Sequence, residues 1–313
     1  MTNNKVKKTA LDRKLDKIRA AEESGKLGTK LTNRTLRKLT SNKLAVIGVL
    51  LFLAICIMCF AAPLFTQYDP MKFDLRAKMS PPDMKHIMGT DQMGRDIWAR
   101  MLYGGRISII VGLGSALGAA AVGVTLGLYV GYKGGLVDSL LLKVSDIFQS
   151  IPQMVLIIII VALVGQSMEN LIIIFILTGW PGMYRMTRSK VLSLKQQEFV
   201  QALRAFGISD VKIAFKHLLP NTLGPVVVNI TLSTAMFILQ EASLSVLGYG
   251  VPMEIATWGN IINVITNGGT IRFDWLQYWW MWLPCAIMLI LFVLSINFIG
   301  DGLRDASDPT QIG

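Results

Sequence analysis

Long runs without a single charged side chain, separated by charged connections, constrain this chain more than any other feature. Leu44 to Phe65 is a 22-residue apolar run, and Ile107 to Tyr132 is a second. A helix rises 1.5 Å per residue, so about 20 residues match the ~30 Å hydrocarbon core of a bilayer. No water is available there, so each backbone N–H and C=O must be satisfied inside the segment, and a helix does this. With 52% hydrophobic and only 16% charged residues over 313 positions, the pattern predicts an all-α integral membrane protein.

Six transmembrane helices are expected. The first covers residues 44–66. The second is Ile107 to Tyr132, and the third runs from near Ser139 to near Val164 with a kink at Pro152. Lys143 and Asp146 lie in the first two turns of the third, within snorkelling reach of the surface. The fourth, about Leu171 to Met186, contains Gly179-Trp180-Pro181-Gly182, which should break or bend it. The fifth covers about Thr222 to Leu247, with Thr222 as cap and Pro225 in the first turn. The sixth runs from about Leu276 to Gly300. Trp275, Tyr278, Trp279, Trp280 and Trp282 crowd its start like the aromatic belt of a membrane interface.

Charge sets the orientation. Residues 1–43 form a tail with 13 Lys/Arg against 4 Asp/Glu, out of a net +11 for the chain. Beside a membrane span, such a tail marks the cytoplasmic side and an anionic leaflet rather than nucleic acid. Six spans put both termini on one side. If that side is cytoplasmic, inside segments carry 23 Lys/Arg and outside segments 8, as the positive-inside rule requires. Residues 67–106 are then an extracytoplasmic loop and 301–313 a cytoplasmic tail. The long polar lead argues against a cleaved signal peptide.

One connection differs from the rest. Glu198 to Asn221 reads as two short amphipathic helices meeting at Gly207. Phe199, Leu203 and Phe206 recur at helical spacing in the first, and Val211, Ala214, Phe215 and Leu218 in the second. Gly207 suits a left-handed helix closure, and Ser209, before Asp210, suits the next N-cap. Pro220 should force the chain to turn at Leu219. The product is a stiff surface element able to pass force to another protein.

Within the spans, Ser115, Ala119, Gly123, Gly127 and Gly131 fall at four-residue steps and make one helix face without large side chains, suited to close helix packing. Glu241, beside Gln240, is an intramembrane carboxylate and so a candidate for the transport path. The residues alone leave open whether it acts there or lies near the outer end and reaches water or a helix partner. In the outer loop, His86 and its neighbouring aspartates favour a hydrogen-bonded turn over a metal site. Cys56 and Cys59 have CxxC spacing inside an apolar run with no second ligand pair and read as packing residues, as does Cys285.

Catalytic motifs are missing. There is no GxxxxGK[ST], HExxH or GxSxG, and only His86 and His217 are present, so neither an ATPase nor a metal site is expected in this chain. A secondary transporter would show paired broken helices or clustered intramembrane charges, whereas here there is one carboxylate and one mid-span Pro-Gly break.

The connecting element resembles the signature loop of ABC-importer permeases: Glu-Ala-Ala, three residues, Gly, nine residues, an apolar position and Leu-Pro. Gln201-Ala202-Leu203 fills the first slot, Gly207 the second and Leu219-Pro220 the last, followed by Asn221. Gln201 and Leu203 depart from the strict pattern, and His217 takes the usual Ile slot. From Asn42 to Pro309 the chain resembles the C-type permease of peptide/nickel ABC importers (OppC/DppC type). The match includes Tyr68-Asp69-Pro70, Gly89-Thr90-Asp91, Gly94-Arg95-Asp96, Glu241-Ala242-Ser243-Leu244-Ser245, Trp258-Gly259-Asn260 and Gly300-Asp301-Gly302-Leu303-Arg304-Asp305.

The resemblance implies one N-terminal helix plus a five-helix permease core over residues 107–300. It implies a heterodimer with a homologous B-type permease, two cytoplasmic ATPase subunits that bind ATP and Mg, and an extracytoplasmic substrate-binding protein. It places the chain in the bacterial cytoplasmic membrane, with residues 198–221 docking on an ATPase. Peptides are the implied cargo, with nickel or a metal chelate as the alternative in the same family.

Overall fold

The computed structural model describes residues 40–263, 274 and 276–307. The basic lead through residue 39, Trp275 and the end of the C-terminal tail lie outside the described residues. Among those residues the regular elements are helical.

Helix α1 spans Lys43–Phe60. The Asn42 side chain accepts the Leu44 and Ala45 amides at its start. The helix ends five residues short of the apolar run. Pro63 has no amide to give the Cys59 carbonyl, so the ladder stops. Arg106 Nη2 supplies the donor instead, 3.4 Å from the Cys59 oxygen and 3.1 Å from that of Phe60.

Helix α2, Ile97–Lys133, starts ten residues earlier than the apolar run. Asp96 caps it, accepting the Ala99 amide at 2.7 Å. At 37 residues it is about 55 Å long, well beyond a bilayer core. Its first turns therefore belong to the outer cap, and the polar loop is shorter than charge alone indicated.

The expected third span is two helices, α3 (Gly135–Ser150) and α4 (Gln153–Val164), which meet at 90°. Ile151, before Pro152, is held extended (φ −94°, ψ 133°), as a pre-proline residue prefers. Helix α5, Met168–Lys195, passes unbroken through Pro181, so the break predicted at Gly179-Trp180-Pro181-Gly182 does not occur. A proline removes one helical bond, and the packing of α5 along α2 holds the axis.

After α6 (Glu198–Ala205) come a turn at Asp210–Lys212, a wide turn at Ile213–Leu218 and α7 (Leu219–Val246). These last three pieces form one continuous 37-residue rod, Asp210–Val246. The turn expected at Leu219-Pro220 is therefore absent. The Leu219 amide reaches back five residues to the Ala214 carbonyl, so the register is already shifted before the proline. Thr222 does not cap the helix; its hydroxyl donates to the Leu219 carbonyl within it.

Helix α8 is Trp258–Ile262 and α9 is Leu283–Ser307. Among the described residues, four segments are long and apolar enough to cross a membrane: α1, α2, the Asp210–Val246 rod and α9. The bent α3–α4 pair is a fifth if counted as one span. Helix α5 is long enough at 28 residues but too polar by the same measure, since it ends in Arg185, Arg188, Lys190 and Lys195.

The core centres on Trp258, which is fully buried among α1, α2, α7 and α9. Its indole donates to the Met101 carbonyl at 3.1 Å, and its ring meets Phe292 edge-on. The Trp258-Gly259-Asn260 segment is thus inside the bundle. A Cβ on Gly259 would lie 2.7 Å from the Ala242 Cα, so only glycine lets α8 approach α7 this closely.

Sidedness follows from three contacts. Asn42 at the start of α1 donates to Asp305 near the end of α9. Gly300 of α9 lies beside Thr231, in the half of α7 nearer the 198–221 loop. At the other end Gly89 of the polar loop packs on Trp280, before α9. Both ends of the described chain therefore share a face with the 198–221 loop, and the 67–96 loop occupies the opposite face.

That opposite face is a hydrogen-bonded cap. Asp91 accepts from the Met93 and Arg95 amides and from Arg95 Nε at 2.7 Å. His86 Nδ1 pairs with Asp96 at 2.8 Å, and its ring lies over Tyr68. The His86 and Lys85 amides hold the Asp83 carboxyl below its usual range. His86 thus serves the turn that caps α2.

Candidate functional site

The 198–221 element is built around its inner face. Val200, Ile213 and Leu218 are fully buried against Leu128 and Tyr132 of α2 and Val191 and Leu194 of α5, with Leu203 and Ile208 packed alongside. Lys195 Nζ donates to the Tyr132 carbonyl at 2.6 Å and ties the end of α5 to α2. Helix α6 closes as a left-handed cap: Gly207 has φ +71°. Its amide donates to Arg204 and that of Ile208 to the Leu203 carbonyl. This is the Schellman pattern. Ser209 sits at the next helix start without a side-chain cap bond.

The apolar residues divide differently from their spacing. Helical periodicity grouped Phe199, Leu203 and Phe206. In the structure Leu203 turns inward, while Phe199 is exposed and Phe206 is 83% exposed. The helix ends at Ala205, so Phe206 no longer follows its periodicity. In the second half Ala214 and Leu218 are buried, but Val211 and Phe215 are exposed. The wide turn brings residues five apart onto one face, so Ile213 and Leu218 face inward together. Glu198, Gln201, Ala202, Asp210, Pro220 and Asn221 are also exposed, and His217 is half-buried, its carbonyl accepting from Asn221. Phe199, Phe206, Val211 and Phe215 are thus left exposed among polar side chains of the loop.

The small-residue ridge of α2 faces α5. Ser115, Ala119, Gly123, Gly127 and Gly131 are all buried. A Cβ on Gly123 would lie 2.5 Å from the Met183 Cβ and 2.6 Å from the Trp180 carbonyl; on Gly127 it would lie 2.7 Å from the Thr187 Cβ. Beyond the ridge, Arg188 grips Asp138 of α3 with two bonds of 2.7 and 2.6 Å, and Tyr184 donates to the same carboxylate at 2.9 Å. Asp138 and Arg188 are 50 residues apart, so no local pattern links them.

Glu241 is fully buried. Ser108 of α2 donates to one carboxylate oxygen at 3.3 Å and Ser245 to the other at 3.0 Å, and Thr257 also bonds the carboxylate. The Trp258 amide donates to Ser108 Oγ at 3.1 Å. The carboxylate therefore clasps α2, α7 and the α8 segment and does not reach water. Gln240, its neighbour, points elsewhere: its Nε2 donates to Gln153 of α4 at 3.1 Å. The two adjacent candidates thus belong to different environments.

Removing a buried acceptor leaves its hydroxyl partners unsatisfied, at about 1–3 kcal/mol. Glu241→Ala is expected to lower the thermal midpoint of the detergent-purified protein by several degrees, roughly the effect of 2 kcal/mol. Glu241→Gln, which keeps an acceptor, should lose less than half of that. Equal midpoints for Glu241→Ala and the parent would remove the clasp.

Comparison with known proteins gives a consistent picture. Residues 123–312 match the family described as the binding-protein-dependent transport system inner membrane component. Residues 30–82 match the N-terminal TM domain of oligopeptide transport permease C. The chain is 35% identical to the oligopeptide transport system permease protein OppC of Bacillus subtilis, over 92% of this chain and 93% of that one. It is 34% identical to the dipeptide transport system permease protein DppC of the same organism, over 94% and 90%. It is 37% identical to DppC of Alkalihalophilus pseudofirmus, over 87% and 88%.

A solved structure of the MetNI methionine ABC transporter in inward-facing form shares the fold. Its TM-score is 0.52 at 22% identity, over 66% of this chain and 96% of that one. The OppC and DppC relatives are permease proteins, and a permease is not an enzyme. The apolar helices, the unbroken rod beneath the 198–221 loop and the matches over most of the chain lead to one conclusion: the chain is a multi-pass membrane protein of the binding-protein-dependent transport system inner membrane component family.

Proposed function

We propose that this chain is the permease subunit of an ATP-driven peptide importer and forms half of the translocation pathway for di- or oligopeptides. The observation that carries the reading is the 198–221 element. Its inner face is welded to α2 and α5, its outer face bears exposed Phe199, Phe206, Val211 and Phe215, and it continues without a break into the rod that ends near Gln240 and Glu241. An exposed aromatic patch on a rigid mount suits a protein partner. Because the rod is continuous, a push at Asp210 reaches the far end of α7 without loss in a hinge.

In this reading two cytoplasmic ATPase subunits hold ATP and Mg, and one docks on residues 198–221. A B-type permease completes the pathway, and an extracytoplasmic binding protein delivers peptide to the face that carries the 67–96 cap. Both termini are cytoplasmic, in the bacterial cytoplasmic membrane, as the lysine and arginine distribution supports. The OppC and DppC names of the relatives favour peptides over nickel or a metal chelate.

The test is purification of the tagged chain from its host, mass spectrometry of what accompanies it, and uptake by the reconstituted complex. We expect an ATPase, a second permease and ATP-dependent uptake of di- or oligopeptides. Uptake of a nickel chelate without peptide uptake would move the substrate, and uptake without any ATPase would overturn the coupling.

A further inference from the structure

The right-angled break between α3 and α4 leaves backbone groups in an unusual place. Helix α4 is a run of apolar residues from Met154 to Val164, yet no side chain caps its first turn. Ile151 is extended, and Gln149 and Ser150 before it are exposed. Non-helical backbone at membrane depth is tolerated only where protein covers it or where it lines a water-filled cavity.

The polar side chains at the break form a directed chain. Gln240 Nε2 of α7 donates to Gln153 Oε1 at 3.1 Å. Gln153 Nε2 donates to Thr178 Oγ1 of α5 at 3.4 Å, and Thr178 donates to the Ile174 carbonyl of its own helix at 2.9 Å. Three helices thus contribute one amide–amide–hydroxyl line. It is incomplete: Gln240 Oε1 is buried and has no partner. Reversing both amides would leave the Gln240 NH₂ group unpaired instead, so the unmet group is half of an amide pair in either orientation. A buried carbonyl oxygen without a donor costs about 1–3 kcal/mol. The pair of Phe175 and Phe237, stacked at 5.1 Å, supplies an apolar floor one turn away on the same two helices.

We propose that the Ile151-Pro152 break, with Gln153, Gln240 and Thr178 behind it, lines the translocation pathway, that water reaches it at Ser150 and Gln153, and that its amides pair with main-chain amides of the substrate. A main-chain amide both donates and accepts, whatever the side chain beside it. Uncharged amide partners at this place fit cargo that varies in side chain and shares a backbone. The substrate class rests on the importer reading above; the contact with water does not.

The experiment uses the assembled transporter in membrane vesicles and single cysteines at Ser150, Gln153 and, as a control within the apolar run of α4, Ile159, in a chain with Cys56, Cys59 and Cys285 replaced by serine or alanine. A membrane-impermeant maleimide is applied from each side. Thiols in apolar surroundings react slowly, so Ser150→Cys and Gln153→Cys are expected to label at least about tenfold faster than Ile159→Cys. Di- or tripeptide should slow labelling at Gln153→Cys. In separate vesicles Gln240→Ala should lower peptide uptake about tenfold while ATP hydrolysis continues.

Ser150 is already exposed, so its variant keeps the labelling test alive if Gln153→Cys fails to assemble. Labelling at Ser150 and Gln153 no faster than at Ile159, in vesicles that still import peptide, overturns the lining and leaves the importer reading intact. Fast labelling in vesicles that import no peptide would retain the lining and overturn its substrate. Wild-type uptake by Gln240→Ala would overturn the amide pairing.

Discussion

Phe206→Asp is expected to abolish ATP-driven uptake while the membrane-embedded part of the chain stays folded. Phe206 is 83% exposed where α6 ends, so its replacement removes little packing within the chain. An aromatic anchor at a protein interface is typically worth 2 kcal/mol or more, about a thirtyfold loss of affinity, and a buried carboxylate adds a desolvation cost. Co-purification of the ATPase and uptake should both collapse, with an unchanged thermal midpoint of the isolated permease. Gly207→Val tests the neighbouring residue by another route. The site has open space around it, with nothing within 4 Å of an added Cβ, but φ is +71°. A β-branched residue there costs about 1–2 kcal/mol and re-aims Phe206. The ATPase should remain bound, and hydrolysis should continue with little uptake. Gly207→Asn, which tolerates the left-handed region, should keep most of the coupling. Normal uptake by both Phe206→Asp and Gly207→Val would exclude this loop as the ATPase contact.

The second large effect is expected on the α2–α5 seam. Gly123→Leu would drive its first side-chain atom to 2.6 Å from the Trp180 carbonyl, and Gly127→Leu to 2.7 Å from the Thr187 Cβ. Backbone cannot yield as a flexible side chain can. Overpacking typically costs 1–3 kcal/mol, and here two rigid helices must separate, so each variant should lose about 3 kcal/mol or fail to accumulate. Gly114→Leu is the control on the same helix, because nothing lies within 4 Å of its added Cβ. We expect wild-type yield and midpoint for Gly114→Leu and aggregation on solubilisation for Gly123→Leu. Similar midpoints for the two variants would mean that the ridge is not the packing face. The seam also supports the 198–221 loop, because α2 and α5 carry its inner face.

The reasons that parts of this architecture were legible lie in the residues. Four-residue steps of Ser115, Ala119, Gly123, Gly127 and Gly131 mark a face without side chains, and such a face has to meet another backbone. Gly207 between two amphipathic runs marks a helix closure, and its positive φ follows. By contrast, the proline at 181 and the Leu219-Pro220 pair mislead when read as breaks. A proline removes one hydrogen bond, which tertiary packing or a wide turn can absorb. At Pro152 and Pro63 the helices do break: Ile151 is extended before Pro152, and Arg106 takes up the carbonyls freed before Pro63. Sequence alone does not distinguish these cases. Nor does it show which apolar residues of an eight-residue helix face outward: at Phe206 the helix has ended, and the residue leaves its face.

Glu241 and Gln240 draw the same line between what is local and what is not. That the chain carries a carboxylate in an apolar helix is a statement of sequence, and it requires a partner because an unpaired charge in the bilayer is expensive. That the partners are Ser108 and Ser245, and that Gln240 turns the other way to Gln153 and Thr178, depends on residues up to 133 positions apart meeting at one depth. Hydropathy and charge, both local and additive along the chain, determined by themselves that this protein is a helical membrane protein. The amphipathic run around Gly207 likewise marked where a helix–turn–helix loop sits. Only the tertiary structure decided that the second half of the loop and α7 are one rod, that Trp258 is a buried core residue, and that three distant helices bring an unfinished amide chain to the Pro152 break. Those outcomes turn on helix packing, which sums contacts between residues far apart in sequence and leaves no periodic trace in it.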